Sequence, residues 1–253
     1  MPEKLLVPIY LPCWIHQTIV RLKRLLIPSS TIDTAPVKNI WGERYVEWSF
    51  LSKEMPDGPG KAIEFGCEQG YMSLLAAQKG HDVLANDLQE QSFSWEHSNV
   101  EFRPGDFLGL NLPKDYFDIA INCSSVEHVG IAGRYGITAE QSDGDIEVMR
   151  KLAEILKPGG LLLMTAPCGR DAVMAPWCRV YGAVRLPRLL KAFEIAKEIY
   201  WVKDSSNRWV SSTRETALDF EPRNDPSDGH GCSYALGCFV LRKGRAAEIH
   251  FGG

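Results

Sequence analysis

The chain has 253 residues, 45% of them hydrophobic and 24% charged, and a formal net charge of -4 at pH 7. That length and composition allow one large globular core, and they exclude a repeat or low-complexity protein. The slightly negative charge provides no overall basic field, so we expect no nucleic-acid partner. The seven cysteines form no CxxC pair and no zinc spacing, which favours reduced thiols in a cytoplasmic protein.

Residues 1–60 are predicted to be an N-terminal amphipathic helix and a connector. Between residues 4 and 30, apolar residues recur on one helical face and basic residues lie beside it. The apolar runs are too short to span a bilayer, and no cleavage site of a secretory signal follows them. Packing on the domain, pairing of two copies as a homodimer and peripheral membrane contact all stay open for this helix.

From residue 61 to residue 253, strands and helices follow one another in the order of a Rossmann-like domain. A buried strand near 61–66 leads into a turn with Gly66 and Gly70. The polar stretch 204–234 is an insert before the last strand, predicted to cover the substrate side. The helices are predicted near 70–79, from about Asp145 and near 187–195, and the further strands near 82–86, 99–103, 117–123, 160–166, 198–203 and 234–242.

The turn after the first strand favours a nucleoside cofactor that has no phosphate groups. Gly66 and Gly70 let the backbone approach a ligand closely, and Asp87, at the end of the second strand, suits ribose hydroxyls. Glu68 lies between the glycines, where its carboxylate would repel the pyrophosphate of a dinucleotide. S-adenosylmethionine, which carries a sulfonium and an ammonium, fits these acids better.

These segments resemble the motifs of class I S-adenosylmethionine-dependent methyltransferases. Glu64-x-Gly66-x-x-x-Gly70 is similar to the first motif of that family, although Glu68 replaces its usual middle glycine. Gly105-Asp106-Phe107 is similar to the segment that reads the adenine amino group, and 156–160 to the turn into the fifth strand. The resemblance runs from about residue 61 to residue 167 and continues more weakly to about residue 243.

The resemblance implies an α/β fold with a seven-stranded, mostly parallel sheet and helices on both faces. It also implies S-adenosylmethionine as the cofactor. Taken singly, the glycines would serve helix packing equally well, and Asp87 or Asp106 would serve as caps. The cofactor-binding residues implied together are Glu64, Gly66, Cys67, Gly70, Asp87, Leu88, Asp106, Phe107 and Ser124.

A histidine follows the fourth strand, at the sheet edge where open α/β sheets bind their ligands. Methyl transfer to a hydroxyl requires removal of a proton, and an imidazole can do this near neutral pH. His128 is therefore the first candidate base, and His230, between two glycines of the insert, is the second. The alternatives are that His128 only orders its loop and that His230 is a surface residue.

Four residues near these loops are candidates for acceptor binding. Arg134 and Tyr135 suit an anionic or polyhydroxylated acceptor. Trp177 and Arg179 are candidates for lining the acceptor pocket. For each of them the alternative is a purely structural role.

Two acids between the fourth and fifth strands are candidate ligands for Mg²⁺. Asp143 and Asp145 offer the hard oxygen atoms that this ion prefers. The alternative is that Asp145 caps the following helix and Asp143 lies in a solvated turn.

The sequence thus predicts a cytoplasmic or membrane-peripheral O-methyltransferase that acts on a small-molecule or sugar hydroxyl. A methyltransferase for protein or RNA and a non-catalytic scaffold of the same fold are the alternatives. No segment like Asn/Asp-Pro-Pro-Tyr follows the fourth strand, which makes N-methylation of bases or amides the weaker expectation.

Overall fold

The computed structural model describes residues 42–225 and 231–244. The predicted N-terminal helix, most of the connector and His230 lie outside these residues. None of the helices in the two described ranges is long and apolar enough to cross a membrane.

Helices and strands follow one another as the sequence predicts for most of the domain. The helices are α1 (Arg44–Glu54), α2 (Tyr71–Gln78), α3 (Gly144–Ile155), α4 (Arg185–Leu190) and α5 (Arg214–Leu218). The strands are β1 (Gly60–Phe65), β2 (His81–Asp87), β3 (Val100–Pro104), β4 (Phe117–Cys123), β5 (Leu156–Cys168), β6 (Ala172–Met174), β7 (Cys178–Val180), β8 (Glu194–Lys203), β9 (Trp209–Ser212), β10 (Arg223–Asn224), β11 (Cys232–Ser233) and β12 (Ala235–Arg242).

The main sheet has the order β3-β2-β1-β4-β5-β12-β8-β9. Its first five strands are parallel, whereas β12 runs antiparallel to both β5 and β8. The prediction of a mostly parallel Rossmann-like sheet is confirmed. The predicted count of seven strands was one too low, because β9 pairs with β8 and adds an eighth strand at the edge.

Helices cover both faces of the sheet, and alternate residues of the central strands therefore enter different cores. Ile119 and Ile121 pack with residues of α1 and α2. Ala120, between them, packs with residues of α3 and α4 on the other face. The edge formed by the carboxyl ends of the parallel strands is consequently fixed between two packed layers.

Two regions differ from the sequence prediction. The helix predicted near 187–195 ends at Leu190, because residues 194–203 form β8 and pair with β12. Within the predicted connector, residues 44–54 form α1, whose Phe50 and Leu51 are buried in the core. Two-stranded pairs, β6–β7 and β10–β11, lie outside the main sheet.

Candidate functional site

A cavity of about 900 Å³ lies at the carboxyl ends of β1, β2 and β4. Its size is that of pockets that hold a cofactor or a drug-sized ligand. Ten of the residues predicted for the site line it together: Gly66, Asp87, Leu88, Asp106, Phe107, Ser124, His128, Arg134, Tyr135 and Trp177.

The turn after β1 has the left-handed backbone that its glycines allow. Gly66 has a φ of +68°, and a Cβ there would lie 2.5 Å from the side chain of Ser125. The Ser125 hydroxyl donates a hydrogen bond to the Gly66 carbonyl at 3.0 Å. Gly70 has a φ of +66°, and a Cβ there would lie 2.8 Å from the ring of Trp95. Close packing within the protein therefore requires both glycines.

Glu68 preserves this turn although it is not a glycine. Its φ of +46° lies in the left-handed region. Its backbone N–H donates to Asp87 Oδ2 at 2.9 Å, and the N–H of Gln89 donates to Asp87 Oδ1 at 3.1 Å. Asp87 thus ties the turn after β1 to the end of β2, while its side chain still lines the cavity.

Asp106 lies on the same side of the cavity, in the turn that follows β3. Its Oδ1 accepts a hydrogen bond from the Leu108 N–H at 3.0 Å, which is the capping role considered as the alternative. Asp106 is an exposed residue and also lines the cavity. Capping and ligand binding are therefore compatible for this side chain.

Three predicted cofactor residues lie behind the cavity surface instead of on it: Glu64, Cys67 and Gly70. Glu64 is buried and accepts hydrogen bonds from the Ser73 N–H at 2.7 Å and from the Ser73 hydroxyl, so it holds the first turn of α2. Burial raises the pKa of Glu64 to about 7. Burial likewise raises the pKa of the Cys67 thiol, which keeps it protonated.

A buried glutamate that the sequence analysis missed organises the inner wall. Glu47 of α1 accepts hydrogen bonds from the hydroxyls of Ser124 and Thr165, the latter at 2.7 Å. It also forms a salt bridge with Arg44, whose Nη1 lies 2.6 Å away. Ser124 therefore presents its hydroxyl to Glu47, and α1 is fixed to the ends of β4 and β5.

His128 lies in the short 3₁₀ turn after β4 and is held from the neighbouring loop. Its Nδ1 lies 2.6 Å from the carbonyl oxygen of Trp177. A carbonyl oxygen only accepts, so Nδ1 carries a proton, and in the neutral ring Nε2 therefore carries the lone pair. Nε2 lies 3.9 Å from Oε1 of Glu127, a buried carboxyl whose pKa burial raises well above its ordinary value.

Arg134, Tyr135 and Trp177 form a cluster of one guanidinium and two rings at the cavity. The Arg134 guanidinium carbon lies 4.5 Å from the centre of the Tyr135 ring and 5.6 Å from that of Trp177. Both aromatic side chains are 42% exposed. The predicted acceptor residues Arg134, Tyr135 and Trp177 are thus brought together.

Arg179 does not line the cavity. It is buried, and its guanidinium donates to the backbone carbonyls of Val129 and Gln141. It therefore attaches the loop after β4 to strand β7, which is the structural role considered as its alternative.

Asp143 and Asp145 also lie away from the cavity lining, and arginines engage both carboxylates. Arg185 lies 2.6 Å from Oδ1 of Asp145, and Arg188 lies 3.2 Å from Oδ2 of Asp143. Among residues 42–225 and 231–244, no group of three or more His, Cys, Asp or Glu side chains could hold a metal ion. The acids that were considered as Mg²⁺ ligands thus serve as ion-pair partners of α4.

The cavity is also lined by residues from distant segments that the sequence analysis did not identify. One sequence signal for α1 was present: Arg44-x-x-Glu47 places a basic and an acidic residue one helical turn apart. The other additional lining residues include Glu43, Asn86, Gln141, Cys178, Cys232 and Tyr234.

A family model described as "Caenorhabditis protein of unknown function, DUF268" matches residues 72–221. The chain belongs to the DUF268 family. The match spans α2 to α5 and thus includes the loops after β2, β3, β4 and β5 that form most of the cavity. No curated protein matches the sequence of this DUF268 chain.

Solved structures show which fold this DUF268 member has. N-methyltransferase NodS from Bradyrhizobium japonicum WM9, in complex with S-adenosylhomocysteine, is 16% identical with a TM-score of 0.53, over 89% of this chain and 98% of that chain. An S-adenosylmethionine-dependent methyltransferase from Mesorhizobium loti is 16% identical with a TM-score of 0.50, over 78% and 97%. The [4+2]-cyclase SpnF is 20% identical with a TM-score of 0.50, over 78% and 79%. The chain therefore has the class I methyltransferase fold.

Proposed function

We propose that this protein is an S-adenosylmethionine-dependent methyltransferase that methylates a hydroxyl of a small molecule or sugar. The observation that carries the proposal is the position of the cavity. It joins the glycine turn after β1 and the acids after β2 and β3 to a histidine after β4. Ligands of open α/β sheets bind at this edge, and structures of the same fold include a methyltransferase with bound S-adenosylhomocysteine.

The charges of the cavity support this cofactor over a phosphate-containing one. Among the described residues, two arginines, no lysine and five acids line the cavity, and burial raises the pKa of one of these acids, Glu127, so that it stays protonated. One of the arginines, Arg44, is already paired with Glu47. Phosphate groups would find acids here, whereas a sulfonium and an ammonium find favourable charges.

Gly66, Asp87 and Asp106 are assigned to different parts of the cofactor. Gly66 has no side chain, so its backbone atoms themselves form part of the cavity wall and can contact a ligand. The carboxylate of Asp87 can accept hydrogen bonds from ribose hydroxyls beyond those from Glu68 and Gln89, because each carboxylate oxygen accepts two. Asp106, with one oxygen in its cap, is placed to accept from the adenine amino group. When bound, S-adenosylmethionine supplies a methyl group activated by the sulfonium.

His128 supplies the base for the acceptor hydroxyl. The Trp177 carbonyl keeps the proton on Nδ1, so Nε2 is the atom that takes the hydroxyl proton as the new oxygen–carbon bond forms. The resulting imidazolium lies 3.9 Å from Oε1 of Glu127, a carboxyl that burial keeps protonated. Proton removal is thus assigned to His128 alone.

Calorimetric titration with S-adenosylhomocysteine tests the cofactor assignment. We expect the wild-type protein to bind, Asp87→Ala to weaken binding by roughly 10- to 100-fold through loss of charge-assisted hydrogen bonds, and Asp57→Ala to bind as the wild type does. Asp57 is a suitable control because it is fully exposed and pairs with Lys79 outside the cavity. A folded wild-type protein that does not bind S-adenosylhomocysteine would overturn the proposal.

Transfer of a labelled methyl group to a pool of hydroxylated small molecules and sugars tests the reaction. His128→Asn should lower kcat by about 10²-fold or more while the affinity for S-adenosylhomocysteine stays unchanged. Cofactor binding without transfer to any acceptor would favour a non-catalytic role or another chemistry, as in the cyclase of the same fold. Transfer to protein or RNA alone would instead favour the macromolecular alternative.

A further inference from the structure

The two halves of the cavity carry different charged groups, and Glu127, the acid next to His128, is a buried carboxyl that its raised pKa keeps protonated. The half above β1, β2 and β3 contains the carboxylates of Glu68, Asp87 and Asp106. The half above β4 and β5 receives Arg134 from the loop after β4, beside the candidate base His128. A cationic cofactor in the first half leaves the second half to a ligand that matches a guanidinium.

A tight turn presents Arg134 to the cavity. The Gly133 N–H donates to the Ile137 carbonyl at 2.9 Å, and the Ile137 N–H donates to the Arg134 carbonyl at 3.0 Å. Tyr135, at the tip, has a φ of +54°. This conformation is rare for a bulky residue and costs free energy, and such positions cluster at ligand sites.

The two rings orient the guanidinium of Arg134 without neutralising it. Centroid distances of 4.5 Å to Tyr135 and 5.6 Å to Trp177 are those of cation–π contacts. Its one hydrogen bond within the described ranges joins Nη1 to the Trp177 carbonyl at 3.5 Å, which is the outer limit for such a bond. No carboxylate of residues 42–225 and 231–244 forms a salt bridge with it.

The contrast with Arg44, the other arginine of the cavity, is direct. Arg44 Nη1 lies 2.6 Å from the buried carboxylate of Glu47, so its charge is compensated within the protein. Arg134 keeps most of its five N–H groups for a ligand. A planar guanidinium held on aromatic rings is well suited to a bidentate bond with a carboxylate or phosphate.

We propose that Arg134 binds an oxyanion, a carboxylate or a phosphate, of the acceptor molecule. This inference rests on the proposed function, because it assumes that the ligand beside His128 is the acceptor. His128 Nδ1 and Arg134 Nη1 both contact the carbonyl oxygen of Trp177, at 2.6 Å and 3.5 Å. The base and the anion site are therefore anchored at one atom, so the acceptor carries its reactive hydroxyl and its anionic group close together.

The rings make a planar acceptor the best match. Trp177 and Tyr135 each expose 42% of their surface and both line the cavity. Exposed aromatic faces beside a cation bind flat, anionic molecules through stacking and charge together. A hydroxylated aromatic acid or a phosphorylated ring has both features, whereas an amine would be repelled by Arg134.

Three ligands that share a benzene ring and differ only in its substituent test the contribution of the anionic group: benzoate, phenyl phosphate and the uncharged benzamide. Each is titrated against wild type, Arg134→Gln and Arg208→Gln with S-adenosylhomocysteine present. Arg208 is the matched control, because its exposed guanidinium pairs with Asp204 and does not line the cavity. We expect at least one anion to bind the wild type and Arg208→Gln alike, and to bind Arg134→Gln at least tenfold more weakly, while benzamide binds no variant better than another.

The outcomes distinguish a carboxylate from a phosphate acceptor, and they distinguish failure of this inference from failure of the proposed function. Preference for benzoate indicates a carboxylate acceptor, and preference for phenyl phosphate indicates a phosphate. Equal anion binding by wild type and Arg134→Gln, or no anion binding by the wild type, overturns the inference. The parallel titration with S-adenosylhomocysteine shows whether Arg134→Gln is folded. Failure of that titration in the wild type overturns the proposed function instead, whatever the anions do.

Discussion

The two halves of the cavity differ in how the chain builds them. In the half above β1, β2 and β3, hydrogen bonds join residues close in sequence or on adjacent strands, such as Glu68 to Asp87, 19 residues apart. In the half above β4 and β5, the decisive contacts join distant segments. His128 contacts Trp177 49 residues away, and Glu47 contacts Thr165 118 residues away.

The first half depends on backbone geometry, whereas the second half depends on side-chain packing. Strand, turn and acid fix the first half through the backbone, so a short motif specifies it. Side chains from four or more segments fix the second half, and small changes in any of them alter what it binds. We therefore expect substitutions in the first half to act on backbone strain and cofactor binding, and substitutions in the second half to act on packing and acceptor binding.

The largest loss of unfolding free energy should come from removing Glu47, the buried carboxylate that joins α1 to the second half. Glu47→Ala removes the nearest carboxylate of the Arg44 guanidinium and the acceptor that the hydroxyls of Ser124 and Thr165 share. We expect the free energy of unfolding to fall by about 3 kcal/mol, as for a buried ion pair that loses one member. Denaturation with urea measures it.

Glu147→Ala is the control for this change, because Glu147 is an exposed glutamate of α3. It should alter the free energy of unfolding by no more than about 0.5 kcal/mol. If Glu47→Ala costs as little as the control, the link between α1 and the sheet does not depend on this carboxylate.

A pH-dependent effect should come from Glu64, beneath the first half. Burial raises its pKa from 4.5 to about 7, so between these values the folded state holds a proton that the unfolded chain releases. The wild type should therefore lose stability relative to Glu64→Gln as the pH rises through this window, by up to about 3 kcal/mol. Unfolding of both proteins across the window measures the difference.

Below the window the two proteins should differ by a constant amount, because the carboxyl is protonated in both the folded and the unfolded state. A difference that stays flat through the window would mean that Glu64 titrates normally despite its burial. A wild type that instead loses stability relative to Glu64→Gln as the pH falls would mean that folding lowers the pKa of Glu64.

A smaller effect should come from the glycine turn itself. Gly66→Ala places a methyl group at left-handed φ and 2.5 Å from the Ser125 side chain, whereas Gly136→Ala, at a φ of +79°, meets no atom within 4 Å. Both should lose about 1 kcal/mol from the backbone conformation, and Gly66→Ala should lose about 1–2 kcal/mol more from the contact. Equal losses of unfolding free energy in the two variants would show that the contact is relieved at no cost.

Sequence patterns were sufficient where local geometry decides the structure. Strand β4 occupies residues 117–123 as predicted, and Asp87 and Asp106 meet at one cavity because parallel strands end at one edge. Helix α1 escaped prediction because Glu47 occupies its buried face, where hydrophobic periodicity requires an apolar residue. The contacts of Glu47 with Ser124 and Thr165, more than 70 residues away, give no local signal.

The region after β5 shows a second reason. Residues 191–195 continue a helical pattern, yet pairing of β8 with β12 begins at Glu194 and overrides the local preference. Strand β9 has only four residues, two of them exposed, so alternation is too short to recognise. The Trp177 carbonyl, which contacts His128, is a backbone group that every residue type has, so the sequence does not indicate this contact.

The smallest effect should distinguish the charge of Glu68 from its backbone. Glu68→Ala removes the carboxylate, which lies 4.0 Å from Arg44, but keeps a side chain at a φ of +46°. Glu68→Gly removes the carboxylate and relieves the left-handed conformation, so it should be about 1 kcal/mol more stable than Glu68→Ala. Urea denaturation and titration with S-adenosylhomocysteine measure both properties. Equal weakening of binding in the two variants would assign to the carboxylate an attraction for the cationic cofactor. Weakening in Glu68→Ala alone would instead make the turn geometry decisive and remove the charge argument for the first half.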